Sequence, residues 1–524
     1  MGLMRQIAQA FRLQGLQLTG EAMKAIISVI ESEEDSAAAL GAVISAIKDK
    51  IERKELRSTV IDEAAVAAVA IDLSNTEDDL ARASLKVLNA FEGARLWYDP
   101  LRKSLQWETQ EQRTSVLHAG PEAKGEMLRD RLLLMQQRTQ RHELFRAPVI
   151  ASSRKDTIKL TSLDSLLGSH GGKCIMGMLT QPSEGAYHIE DLTCQVPIDV
   201  SGAGYTAGMF TENCVVVAEG EMVDGAFRID MMGFPPPELR KATALAIGQP
   251  DLFGTGMTHQ QVELLDNLEG DAEESMFILL SDVHLDKPAV MEKLRVIFEG
   301  FSDMPEPPLF VLMGDFSSAP INQTSESVAQ MADKFDALGS LIAEFPALAQ
   351  HANFVIVPGP NDPATIGGMA LPRGPIPRYF AKGLVERVSN VHLATSPCRL
   401  RFYTQEIVLF RDDIFKKMQR HCIVPPKNPP DAPNMDASEH LVKTLLDQGH
   451  LCPLPLSSRP IHCQFDAALR LYPLPQVVIL ADRSEQFSWQ YHDSTWAINP
   501  GSFPSDFSFV VYRPSSGDVE FSSC

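Results

Sequence analysis

The residues that could do chemistry begin with Asp282 and His284, which close the apolar run "FILLSDVH" (277–284). A buried strand that delivers a carboxylate and an imidazole to its C-terminal edge is one way an α/β enzyme holds a metal ion. Other polar loops also follow strand-like runs. "MGDFSS" (313–318) supplies Asp315 and Ser318, "VPGPNDP" (357–363) supplies Pro360 and Asn361, and "ADRSEQF" (481–487) supplies Asp482, Arg483 and Ser484. "QGHLCP" (448–453) adds His450, and "NPGSF" (499–503) reads as a turn. The same residues have a second reading. Carboxylates at strand ends cap helices or hold loops through backbone N–H groups, and His284 fits a hydrogen-bonded core imidazole.

The order of these loops resembles that of the calcineurin-like metallophosphoesterases. The resemblance implies a site for two cations about 4 Å apart, each with its own Asp, Asn and His ligands. Asp282 and His284 match the family's Asp-x-His, and Asp315 matches the first Asp of Gly-Asp-x-x-Asp, whose second Asp is replaced by Ser318. The Gly-Asn-His loop falls on Gly359-Pro360-Asn361-Asp362, which puts Pro360 at a ligand and Asn361 at the general acid. A shift of one residue restores an Asn ligand but no His. An amide cannot donate and regain a proton at neutral pH, so acid catalysis is lost in either register. His450 matches the imidazole of the fourth loop. In the last loop Asp482 and Ser484 replace two imidazoles, and Arg483 adds a cation that raises the cost of binding metal. The resemblance therefore implies a degenerate phosphoesterase site with no catalytic residue. Asp282, His284, Asp315 and His450 remain as vestigial ligands for at most one weakly bound divalent cation.

Several kinds of element must position these loops. Residues 1–75 predict a separate helical domain of four short helices, "MRQIAQAFRLQ", "EAMKAIISVIES", "SAAALGAVISAIKDKIE" and "VIDEAAVAAVAIDL". Residues 76–149 read as a linker with helices. Ser74 and Glu77 form a capping-box pattern that predicts a helix around "DDLARASLKVLNAF", and 100–150 predicts linker plus one long helix. Within it "RLLLMQQRTQRHELFR" (131–146) is the best candidate for a basic patch, the alternative being a solvated helix face.

From 150 to 260 five short strands with Gly and Asp-Gly turns, from "KCIMGMLTQ" to "GAFRIDMMGF", predict a small barrel of the oligonucleotide-binding (OB) type. Tyr187 and Phe227 are the aromatics inside those strands, fewer than a single-strand binding face uses. From 270 to 524 apolar strands alternate with helices and predict an α/β domain, interrupted by the Pro-rich loop "PPKNPPDAPNMDAS" (425–438). The fold class is multidomain α+β.

Composition narrows the function. A chain of 524 residues with 44% apolar and 22% charged residues accommodates several globular domains, and no apolar run reaches the ~20 residues of a membrane span. The formal charge of −21 opposes broad contact with phosphate backbones, and the eight cysteines show no zinc spacing, as expected of thiols in a reducing compartment.

A helical N-terminal region, a small barrel and a defaced phosphoesterase, in that order, resemble the B subunits of the eukaryotic replicative DNA polymerases, and among them those of the epsilon polymerase. "GMFTENCVVVAEG", "LSDVHLDKPAVMEKLR", "CRLRFYTQEIVLFRDD", "GHLCPLPL" and "AINPGSFPSDFSF" carry this resemblance. It implies a non-catalytic accessory subunit acting in DNA replication in the nucleus. Its barrel and phosphoesterase-like domain would hold the zinc-containing C-terminal region of the polymerase's catalytic subunit. Its N-terminal domain, similar to an AAA+ lid, would contact the replicative helicase and GINS assembly. DNA is expected to be touched weakly or only indirectly. Two other readings stay open: an active metal-dependent phosphoesterase or nuclease, and a single-stranded DNA-binding module working through the barrel.

Overall fold

The computed structural model describes residues 2–31, 36–52, 60–62, 65–66, 69, 84–109, 112, 114–146, 157–166, 168–248, 251–254, 257, 259–320, 325–366, 368–430 and 432–524. They divide into two compact units. The first comprises residues 1–86, 251–273 and 401–404, and the second holds the rest. Among the described residues no helix is long and apolar enough to cross a membrane.

In the first unit the helices Gly2–Leu13, Gly20–Glu31 and Ser36–Glu52 each present one apolar stripe. Ile7 with Phe11, Ala22 with Ile26 and Ile30, and Val43 with Ala46 and Ile47 recur at three-and-four spacing and meet in one core. Thr19 caps the second helix, its Oγ1 accepting from the Ala22 N–H at 3.2 Å. The expected fourth helix differs at its start. Val60–Ile61 pairs in parallel with Gln17–Leu18, and helix begins only beyond Asp62, whose Oδ1 accepts from the Ala65 N–H at 2.8 Å. The remainder of that stretch lies largely outside the described residues.

The helix expected around 78–91 is also corrected, because Leu85–Asn89 is a strand. Its entry is fixed by the Tyr403 N–H donating to Ser84 O at 2.9 Å, a non-local bond that outweighs the local capping signal. The capping residues themselves lie outside the described residues.

In the second unit the segment read as linker contains a hairpin, Arg95–Asp99 against Ser104–Glu108, before the long helix Glu122–Arg141. That helix is neither a basic patch nor a solvated face where it matters, since Arg131 and Arg138 are buried. Leu132 and Met135 pack on Met176, Met178 and Val215 of the barrel.

The barrel strands run in the order Gly204–Tyr205, Ala226–Gly233, Val215–Val223, Lys173–Ser183, Ala186–Glu190, Gln195–Asp199. Parallel pairing of Phe227 with Ile198 and Arg228 with Asp199 closes the sheet on itself. Closure needs a bend, which falls at a register shift between Glu219 and Gly220. A Cβ on Gly220 would lie 2.0 Å from Arg228 O, so no larger residue fits there. Phe227, Ile175, Leu179, Val216 and Ile229 fill the interior.

The C-terminal half carries two further sheets. The first runs Asn390–Leu393, Asn353–Val357, Leu309–Met313, Phe277–Leu280, Ser508–Arg513, Asp518–Ser523, parallel across its first four strands. Its inner strands are buried on both faces, which is why they read as unbroken apolar runs. The second includes, in order, Phe487–Tyr491, Thr495–Asn499, Val477–Ala481, Gln405–Arg411 and Cys398–Phe402. Both sheets send the C-terminal ends of their parallel strands toward one group of loops, where α/β proteins place their sites.

Candidate functional site: a carboxylate cluster held by arginines

Asp282 and Asp315 each stand two residues beyond a strand of the first sheet, and both are fully buried. Two glycines let the loops close. A Cβ on Gly314 would lie 1.8 Å from Asp362 Oδ2, and one on Gly359 would lie 2.2 Å from Asp315 Oδ1. Asp282 has a left-handed backbone, φ +56°, a conformation a non-glycine residue keeps only where contacts enforce it.

Those contacts come from the second sheet. Arg411, which ends Gln405–Arg411, is fully buried and donates from Nη2 to Asp282 Oδ1 at 2.8 Å. Its Nε donates to Gly314 O, and its Nη1 donates to Asp413 Oδ1 at 2.8 Å and Ala481 O at 3.1 Å. Arg483, two residues beyond Val477–Ala481, donates from Nε to Asp282 Oδ2 at 3.0 Å and from Nη2 to Asp315 Oδ2 at 2.5 Å. Ser502 Oγ adds a bond to Asp282 Oδ2 at 2.7 Å, and Asn361 donates to Asp315 from its backbone at 2.9 Å and its amide at 2.7 Å. Burial opposes ionisation of Asp282, but Arg411 and Arg483 outweigh it and hold the carboxyl well below the usual range. Burial also opposes charge on Arg411, and Asp282 and Asp413 more than compensate.

The other residues singled out in the sequence fall around this cluster or away from it. Ser318 ties its loop to the one that follows Phe277–Leu280, its Oγ donating to Asp286 Oδ2 at 2.5 Å and its N–H to Oδ1 at 2.8 Å. Asp482 accepts from the Phe415 N–H at 2.9 Å, at the start of the helix Phe415–Arg420, and from the Ser484 N–H at 3.0 Å. Ser484 Oγ in turn accepts from the Asn499 amide at 3.0 Å. Pro360 brings no polar side chain and only shapes the loop that presents Asn361. His284 is 9% exposed, and among the described residues neither ring nitrogen has a hydrogen-bond partner; burial pulls its pKa below the usual value.

The structure does not bring His450 to the cluster's carboxylates. Its Nε2 lies 3.1 Å from Asp466 Oδ1, and its Nδ1 accepts from the Cys452 N–H at 3.0 Å. Asp466 also accepts from Arg131 Nε at 2.9 Å and Arg470 Nε at 3.0 Å. Burial and Arg131 push the His450 pKa down to about 4, so it is a neutral structural imidazole with both nitrogens engaged.

Sequence reasoning missed Arg411, Asp413, Ser502 and Asp362. Asp362 accepts from the Phe316 and Gly359 N–H groups, both at 2.8 Å, and burial beside Asp315 pushes its pKa up to about 7. The charged triplet Arg411-Asp412-Asp413, ending an apolar strand, was the available signal. Among the described residues no group of three or more His, Cys, Asp or Glu side chains is arranged to hold a metal ion. Guanidinium groups take the lone pairs that a cation would need. Chemically the arrangement pins strand ends of one sheet to those of the other.

Three family profiles match the chain. One describes the B subunit of DNA polymerases alpha and epsilon and matches residues 277–489. Another describes the OB-fold domain of DNA polymerase epsilon subunit 2-like proteins, over 121–236, and the third the DNA polymerases epsilon N terminal, over 1–72. The chain is 38% identical to human DNA polymerase epsilon subunit 2 over 522 residues, covering 98% of this chain and 96% of that protein. It is 36% identical to the B subunit of DNA polymerase epsilon from Arabidopsis thaliana, covering 99% and 98%. Against DNA polymerase epsilon subunit 2 of Drosophila melanogaster it is 33% identical, covering 91% and 90%.

Proposed function

The chain belongs to the DNA polymerase epsilon subunit 2 family, accessory subunits of a replicative polymerase, and from that premise we propose that its own contribution is non-catalytic scaffolding. The observation that carries this reading is Arg483 donating to both Asp282 and Asp315, where a two-metal phosphoesterase would place its cations. A buried carboxylate already neutralised by two guanidiniums has little left to offer a metal, and the residue at the general-acid position is the amide Asn361. We read residues 270–524 as an inactive calcineurin-like phosphoesterase domain that keeps the fold and uses its surface for assembly. At most one divalent cation would bind weakly, through Asp282, His284 and Asp315, with His450 engaged elsewhere by Asp466.

In this reading the barrel and the α/β region hold the zinc-containing C-terminal part of the catalytic subunit. The N-terminal helices, AAA+ lid-like, contact the replicative helicase and GINS, and the work is done in the nucleus. Large permanent interfaces need apolar area, and most of the exposed large apolar side chains among the described residues belong to the second unit. Direct binding of single strands by the barrel is not part of the proposal. Phe227 is consumed in the barrel core and Tyr187 and Tyr205 are half-buried, so the described barrel strands offer few stacking platforms.

The test is reconstitution with the catalytic subunit. Full-length chain and a form lacking residues 1–72 are both expected to co-purify with it, whereas only the full-length chain should bind the helicase assembly. Loss of the polymerase contact on removing 1–72 would reverse the assignment. The purified chain should not hydrolyse phosphodiesters with manganese or magnesium; cleavage abolished by Asp315→Ala would establish an enzyme instead.

A further inference from the structure

The long helix Glu122–Arg141 carries a feature that the accessory role does not use. Arg138 is 3% exposed, and its Nη2 donates to Asp447 O at 2.6 Å and Pro235 O at 3.5 Å, while its Nε has no hydrogen-bond partner among the described residues. The side chain lines a partly open cavity together with Arg131, Arg470, Asn213 and Gln448, narrowed by Leu134 and Val215. Among the described residues three arginines line this space and no carboxylate does.

The nearby acids are committed elsewhere. Asp466 is shared by Arg131, Arg470 and His450. Asp447 accepts from Lys443 and Tyr491, and Glu238 from Arg141 and Tyr472. His450, neutral at physiological pH, brings no charge of either sign. A buried cation thus keeps an unmet donor, and its side chain lines a space with no carboxylate among its described lining residues, an arrangement that is costly unless an anion completes it.

We propose that this cavity binds a small monovalent anion of the size of chloride or bromide against Arg138 Nε. The ion would tie the long helix to the barrel at Asn213 and Val215 and to the turn at Gln448–His450. It would stabilise a three-way junction, so chloride would strengthen the fold beyond its effect on ionic strength.

The test uses the full chain. In crystals grown with bromide in place of chloride, an anomalous peak is expected within hydrogen-bond reach of Arg138 Nε; an empty cavity overturns the proposal. In solution at constant ionic strength, replacing gluconate by chloride should raise the thermal midpoint by about 2–4 °C. Arg138→Met should abolish that rise. Leu134→Phe, which fills the cavity and keeps the guanidinium, should abolish it too, and stands in if Arg138→Met fails to fold. A bromide peak of equal height in Arg138→Met would mark an adventitious ion only, and an undiminished chloride response in both variants would equally overturn the site.

Discussion

Two buried charge clusters in the second unit use the same chemistry and arose from opposite expectations. At Asp282 the sequence pattern points to metal, and the structure shows two arginines on the carboxylates. At Asp466 the sequence gives no hint of a site, and the structure shows two arginines and a histidine on one carboxylate. The first cluster joins strand ends of two sheets, and one of its cations, Arg483, is 42% exposed. The second joins the long helix to the C-terminal region, and all its charged side chains are buried. The difference teaches that a motif locates charge but not its partner: His450, matched to the first cluster by loop order, belongs to the second.

The comparison breaks most easily at Arg411. Arg411→Leu leaves Asp282 buried with one half-exposed cation, Arg483, and about 3–5 kcal/mol of stability should be lost. Denaturant unfolding of the full chain reads this; a loss below about 1 kcal/mol would mean that Arg483 alone suffices.

A pH series sharpens the contrast. His450 has a folded pKa of about 4, below its unfolded value near 6.5, so the native state disfavours protonation. Its contribution is fully present above about 6.5 and is lost as pH falls toward 4, up to about 3 kcal/mol in all. Asp282, whose carboxyl is depressed, contributes above the ordinary carboxylate range and loses that only in stronger acid. His450→Gln should therefore flatten the stability profile between pH 6.5 and 4 and leave the more acidic limb intact. A profile unchanged in that window would show that His450 is not the group that titrates.

The smallest effect is expected at Arg483. Because it is partly solvated, Arg483→Ala should cost about 1 kcal/mol or less. It should also uncover Asp282 and Asp315 beside the unpartnered His284, so manganese should bind at millimolar levels by calorimetry, without hydrolysis. Manganese binding equally well before the substitution would show that Arg483 does not guard the carboxylates.

How much was legible follows from how local each signal was. Phe277–Leu280, Leu309–Met313 and Val477–Ala481 are apolar throughout because both faces are buried, and the barrel strands alternate between glycine turns, so both patterns could be read. Arg131 and Arg138 looked solvated because their partners, Asp466 and the Asp447 carbonyl, lie more than 300 residues away. Arg411 escaped for the same reason, its carboxylate being 129 residues distant. Leu85–Asn89 was misread because a capping pattern is local whereas the hydrogen bond that fixes the strand is not.

The register of the first sheet bears on how the protein is made. Phe277 pairs with Tyr512 and Ile278 with Val511, across some of the longest sequence separations in the fold. Until residue 513 has left the ribosome, the strand Phe277–Leu280 lacks its neighbour on that side, and a nascent chain presents an open, wholly apolar edge. Such an edge recruits chaperones or other strands during synthesis. Ribosome stalling or premature termination between residues 480 and 508 should therefore yield aggregates rather than a stable shorter protein.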